Sequence, residues 1–163
     1  MNSTVSDNRV GTAAGVSDVA SEAEGAGIYS TIGALTISNS AISGNRASAS
    51  APNGRFADSG ALFLAGGRLT MTNSSVTNNS ATLAAALPSS VNVGVHAGAM
   101  HFSQNAQSAT VGNTTIAGNA ATMTNSVGDS FADSAALHTD IDVSVNEHLV
   151  LSLIHISEPT RPY

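Results

Sequence analysis

One short phrase occurs four times in this chain: an asparagine, two small residues, an aliphatic residue, two more residues, and a second asparagine. The copies are Asn2-Ser-Thr-Val5-Ser-Asp-Asn8, Asn39-Ser-Ala-Ile42-Ser-Gly-Asn45, Asn73-Ser-Ser-Val76-Thr-Asn-Asn79 and Asn113-Thr-Thr-Ile116-Ala-Gly-Asn119. Their second asparagines stand 37, 34 and 40 residues apart. Self-similarity at such a period is the mark of a stacked repeat, in which each unit buries its apolar face only against its neighbours. The chain is therefore expected to build a solenoid rather than a closed domain.

Parity within the repeat sets its local structure. Ile37, Met71 and Val111 lie two residues before the first asparagine, and Leu35, Leu69 and Ala109 lie four before it. That is strand alternation with one buried face. Val5, Ile42, Val76 and Ile116 lie three residues after it, so the parity switches and the chain must turn a corner at Asn39, Asn73 and Asn113. Asparagine suits a corner because it tolerates left-handed dihedrals and its amide bonds nearby backbone. Asn8, Asn45, Asn79 and Asn119 are expected to close the next short strand in the same way. Both sets are expected to stack as amide ladders.

A third segment leads into each phrase: Gly25-Ala-Gly-Ile28-Tyr29, Gly60-Ala-Leu62-Phe63, Gly98-Ala-Met100-His101 and Ala135-Ala-Leu137-His138. An echo of Phe56-Ala-Asp-Ser-Gly-Ala-Leu62 in Phe131-Ala-Asp-Ser-Ala-Ala-Leu137 supports the last assignment. The repeat core is then 21 residues long, as in 25–45, with three short strands and two tight corners. At the rise of a strand its perimeter is ~70 Å. Partial coil 1–24 is followed by coils beginning near 25, 60, 98 and 135. Between the cores, residues 46–59, 80–97 and 120–134 read as excursions of variable length, projecting from one side of the stack. Residues 81–87 are expected to form a helical turn that Pro88 stops. Ile141, Val143 and Val145 alternate, and Asn146 with Leu149 reads as the start of a fifth phrase.

Composition excludes several function classes. Charged residues make up 10% of the chain, lysine is absent, and the net charge is −6. No basic cluster is available to replace phosphate counterions, so no nucleic-acid partner is expected. The absence of cysteine removes disulfides, thiolate catalysis and cysteine-based zinc sites. No stretch approaches the ~20 apolar residues of a membrane span. The Asn-x-Ser/Thr sequences at Asn2, Asn73, Asn78 and Asn113 are by-products of the corners. Residues 151–163 break the style of the chain and resemble the translation of a transposase adapter used in sequencing libraries. They are expected to be a non-native tail, with residues 1–150 a piece from the middle of a longer protein.

The sequence of a Gly-Ala-aliphatic strand, Leu35-Thr-Ile-Ser-Asn-Ser40 and Ile42-Ser-Gly-Asn45 resembles bacterial right-handed parallel β-helix repeats. Gly60-Ala61-Leu62 with Val76-Thr-Asn-Asn79 is similar to the Gly-Gly-Ala-aliphatic and Phe-x-x-Asn motifs of chlamydial polymorphic outer membrane proteins, with an aliphatic residue in place of the phenylalanine. The resemblance covers most of residues 1–150. It implies an all-β, right-handed parallel β-helix of about four coils. It further implies a secreted or surface-displayed, autotransporter passenger-like or adhesin-like chain, located outside the cell or on its outer surface.

Candidate chemistry is sparse. If Ile28, Leu62, Met100 and Leu137 point inward, then Tyr29, Phe63, His101 and His138 form an outward stripe, the preferred binding surface for a glycan or a host or cell-surface protein. Ordinary stacking between coils, or cover by the excursions, is the plainer reading of that stripe. Polysaccharide lyases and hydrolases also use this coil, so a fragment of such an enzyme is the alternative. Its carboxylate candidates are Asp140 with Asp142 and Asp129 with Asp133, since glycoside hydrolysis needs two. Single acidic residues on a solvated face explain them as well, and Arg46, Arg55 and Arg68 are scattered. His101 and His138 occupy equivalent positions in adjacent coils, yet no third ligand is in register, and His96 and His148 lack recognisable spacing. The expectation is therefore a non-catalytic chain without metal or cofactor, whose nearest partners are its own neighbouring coils.

Overall fold

The computed structural model describes residues 2–12, 21–50, 54–84, 93–124, 130–141, 143–146 and 150–152. It is an all-β parallel solenoid, and among the described residues no helix is long and apolar enough to cross a membrane.

Three strands precede the first full coil: β1 (Thr4–Ser6), β2 (Arg9–Gly11) and β3 (Ser21–Ala23). That coil contains β4 (Ile28–Ser30), β5 (Ala34–Ser38), β6 (Ala41–Ser43), β7 (Arg46–Ser50) and β8 (Gly54–Ser59). The next contains β9 (Leu62–Leu64), β10 (Gly67–Thr72), β11 (Ser75–Thr77), β12 (Ser80–Ala84) and β13 (Val93–Ala97). The third contains β14 (Met100–Phe102), β15 (Ala106–Gly112), β16 (Thr115–Ala117), β17 (Ala120–Thr124) and β18 (Ser130–Ser134). The last contains β19 (Leu137–Thr139), β20 (Val143–Asn146) and β21 (Val150–Ser152).

Equivalent strands stack into five parallel sheets. Sheet I is β4-β9-β14-β19, sheet II β5-β10-β15-β20, and sheet III β1-β6-β11-β16-β21. Sheet IV is β2-β7-β12-β17 and sheet V β3-β8-β13-β18. The pairing follows the repeat: Ile28, Leu62, Met100 and Leu137 stand in one column of sheet I, and Tyr29, Phe63, His101 and His138 in the next. Sheet III aligns Val5, Ile42, Val76 and Ile116.

Sheets I to III enclose the main core, in which Leu62, Leu64, Leu69, Met71, Val76, Met100, Phe102 and Ile116 are buried. Both kinds of corner use left-handed backbone, with a difference from expectation at the second. Asn39, Asn73 and Asn113 take φ of 48°, 51° and 47° at the first corner. At the second, the left-handed residue is the one before the expected asparagine: Asp7, Gly44, Asn78 or Gly118. This frees the following side chain to turn inward, and Asn45, Asn79 and Asn119 are buried. Nδ2 of Asn8, Asn45 and Asn79 donates to Oδ1 of the asparagine above at 2.9, 2.9 and 3.0 Å. Nδ2 of Asn45, Asn79 and Asn119 also donates to the carbonyls of Val5, Ile42 and Val76, each at 3.0 Å. At the first corner Asn113 donates to Asn73, and hydroxyls at Ser40, Ser74 and Thr114 bond back to the carbonyls two residues earlier.

The excursions differ most from expectation. Each begins and ends with a strand, so a full coil has five strands rather than three. Sheets IV and V pack on each other around a second core of Ala23, Ala47, Ala49, Ala57, Ala81, Leu83, Val95, Ala121 and Met123. Small side chains let the two sheets approach closely, and this layer uses much of the chain's alanine. The expected helical turn at 81–87 begins instead within β12, because the register of Ser80–Ala84 with Arg46–Ser50 overrides alanine's helical preference. Residues 85–88 lie outside the described residues.

The fifth phrase is also displaced. Asn146 pairs with Gly112, not Asn113, and Leu151 rather than Leu149 is level with Ile116. Strand β21 runs two residues past position 150, and residues 153–163 lie outside the described residues.

Candidate functional site: a histidine–aspartate ring between two sheets

Sheet V meets sheet I at the tight Ser-Gly-Ala and Ala-Gly-Ala corners before β9 and β14. Glycine is required there. A Cβ on Gly60 would lie 2.4 Å from the Gly98 carbonyl oxygen, and one on Gly98 would lie 2.5 Å from the Ala135 carbonyl oxygen. The corner sets two columns face to face. One is the sheet I column of Tyr29, Phe63, His101 and His138. The other lies on sheet V, where pairs on either side of His96 place it level with Asp58 below and Asp133 above.

The stripe proposed from sequence therefore exists as a register but not as an open surface. Tyr29 is 49% exposed, whereas Phe63 and His101 are buried and His138 is half-buried. The terminal strands of the excursions cover them. Rings follow one another up the column in tilted or edge-on contact, with centroids 5.4 Å apart for Tyr29–Phe63, 4.8 Å for Phe63–His101 and 4.9 Å for His101–His138.

The upper part of this corner holds three histidines and three aspartates in a closed alternating ring. His96 Nε2 lies 3.5 Å from Asp58 Oδ1, and its Nδ1 lies 3.3 Å from Asp133 Oδ2. His138 Nδ1 lies 3.3 Å from the same Asp133 oxygen, and its Nε2 lies 3.3 Å from Asp140 Oδ1. His101 Nε2 lies 3.5 Å from Asp140 Oδ2, and its Nδ1 lies 3.9 Å from Asp58 Oδ1, closing the ring. His96 stacks on His101 with centroids 4.6 Å apart.

Burial perturbs the inner members. Asp58 is pushed up to about 7, first by burial and then by the carboxylates of Glu24 and Glu22 below it. His101 is pushed down to about 4, first by burial and then by His96 and His138. His96 is also lowered, by burial and then His138, with Asp133 opposing. Burial raises Glu24, while its hydrogen bond with Tyr29 opposes that shift. Near neutrality the interior of the ring thus carries neutral imidazoles, which are competent donors to a cation.

Sequence reasoning paired His101 with His138 and placed Asp133 and Asp140 in two other pairs, and the structure brings these four together. Asp129 and Asp142 lie outside the described residues. His96 was set aside for want of recognisable spacing and Asp58 was not singled out as a candidate, and both fall in stretches read as excursions. The signal was present in the echo already noted: Asp58-Ser-Gly-Ala and Asp133-Ser-Ala-Ala flank His96-Ala-Gly-Ala, with His96 in the aspartate position.

Comparison with protein-family models, with curated proteins and with solved structures found no match to the chain.

Proposed function

We propose that this chain is a non-catalytic β-solenoid segment of a larger secreted or surface-displayed bacterial protein, with an adhesin-like or structural role. The observation that supports the reading most is the parallel stacking of equivalent strands across successive coils, with sheet III in unbroken register from β1 to β16. Such a stack makes a stiff spacer that gains ~4.8 Å per coil and holds equivalent side chains at fixed intervals. Contact with a glycan or a cell-surface protein is assigned to the first full coil, where Tyr29 and Ile32 are the exposed large apolar side chains among the described residues.

The test is binding of the chain to immobilised glycans and to host or bacterial cell surfaces. Tyr29→Ser and Ile32→Ser, both at exposed positions, should abolish binding while leaving the far-ultraviolet β signal intact. Binding that is unchanged in both variants would overturn the assignment. A second reading, a piece of a polysaccharide-acting enzyme, draws support from Asp133 and Asp140 flanking the same imidazole. Polysaccharide cleavage by the chain, lost in His138→Gln, would establish it in place of the first.

A further inference from the structure

We propose that His96, His101 and His138 bind one divalent transition-metal ion of the zinc class at the corner between sheets V and I. One nitrogen from each of these imidazoles can be chosen so that all three atoms lie within 4.8 Å of one another. Tetrahedral zinc with Zn–N bonds of ~2.05 Å needs nitrogens ~3.3 Å apart. Closing that gap requires the three imidazoles to turn toward a common point, His96 and His101 most, since their rings stand face to face.

Four further observations point to a cation. The charge is one-sided: Asp58, Asp133 and Asp140 crowd the imidazoles, Glu22 and Glu24 lie just below, and the chain has no lysine. The close polar contacts at the ring among the described residues are all between imidazole and carboxylate, with no lysine or arginine in them. Buried ligand atoms also stand in long contacts that fall short of hydrogen-bond geometry: both ring nitrogens of His101 and Oδ1 of Asp58 meet their ring partners at 3.5 to 3.9 Å, on side chains only 6% and 8% exposed. A bound cation gives such atoms a partner, where leaving them unmet is costly. Finally, every histidine lies between two aspartates. One nitrogen can ligate while the N–H of the other is held by a carboxylate, the arrangement that orients metal-bound imidazoles.

The donor set decides the class of ion. Three imidazoles with a carboxylate as fourth ligand favour zinc, nickel, cobalt or copper over calcium and magnesium, which prefer oxygen ligands. Because β13 closes the second full coil, β14 opens the third and β19 opens the last, the ion also clamps successive coils together.

The test uses the full chain after treatment with a chelator. Titration with Co²⁺ should give visible absorption bands that saturate at a single equivalent and are displaced by Zn²⁺. Zn²⁺ should raise the thermal midpoint by several degrees. His138→Gln, at a half-exposed position, should weaken binding at least ~100-fold, and Asp133→Asn about 10-fold through loss of an orienting carboxylate. The double variant His148→Gln/His155→Gln removes the remaining histidines and should bind as the parent does. The proposal is overturned if excess Zn²⁺ leaves the midpoint unmoved. It is equally overturned if folded His138→Gln binds like the parent, or if binding disappears with His148 and His155.

Discussion

Asn79 shows how much one side chain carries at a solenoid corner. Its Oδ1 accepts from the backbone N–H and the amide of Asn45, at 3.0 and 2.9 Å, while its Nδ2 donates to the Ile42 carbonyl and to Asn119. Alanine there leaves a buried donor and a buried acceptor unmet at once. Asn79→Ala should therefore cost on the order of 3 kcal/mol, read as a lower urea midpoint. Asn79→Asp has the same shape but cannot donate when ionised, so it should not restore the loss. The asparagines themselves were legible in the sequence because they recur with their aliphatic partners. The left-handed slot before the second asparagine was not, since Asp7, Gly44, Asn78 and Gly118 share only their tolerance of positive φ.

Between elements, legibility followed side-chain size. Sheets I to III were readable because Ile, Leu, Met and Val mark their inward faces. Sheets IV and V were hidden because alanine marks theirs: Arg46-Ala-Ser-Ala-Ser50 alternates exposed and buried as any strand does, but with little hydrophobic contrast. The glycines that join sheets V and I are the points of closest approach. Gly98→Ala places a methyl group 2.5 Å from the backbone of Ala120 and Ala135, and no flexible side chain can yield to it. We expect a loss of at least ~2 kcal/mol, measured by urea denaturation.

The ring at this junction gives a pH prediction for the chelator-treated chain. His101, lowered to about 4 from 6.5, is disfavoured as a cation when folded, so its contribution to stability is lost as pH falls from ~6.5 to ~4. Asp58, raised to about 7 from 3.8, is disfavoured as an anion when folded. Its destabilising effect is full above ~7 and is relieved as pH falls toward ~3.8. The two slopes oppose each other across the shared window, with Glu22, Glu24, His96, Asp133, His138 and Asp140 as the surrounding charges. The parent should vary little in urea midpoint between about pH 6.5 and 4. Asp58→Asn removes the compensating group, so its midpoint should fall on acidification through that window. A flat or rising midpoint in the variant would refute the assignment.

At the scale of the whole molecule, both ends of the stack present unpaired parallel strands among the described residues, with β4 and β5 at one edge and β17 and β18 at the other. The lower end also opens into the core through a gap of about 360 Å³ lined by Val5, Ile28, Ile37 and Ile42. A lower edge and an upper edge are complementary and do not close on themselves, which favours head-to-tail growth. The 163-residue chain should therefore associate with increasing concentration in sedimentation velocity, and a monodisperse monomer at every concentration would count against this.

The facing columns at the V–I corner carry one further implication. Each level offers one residue from either side: Asp58 with Phe63, His96 with His101, Asp133 with His138. The backbone repeats unchanged while these two letters vary, so the corner behaves as an addressable strip on which chemistry is written level by level. The histidine–aspartate ring is one inscription on that strip. Phe63, already in tilted ring contact with His101, is the neighbouring address where a single substitution would extend it downward.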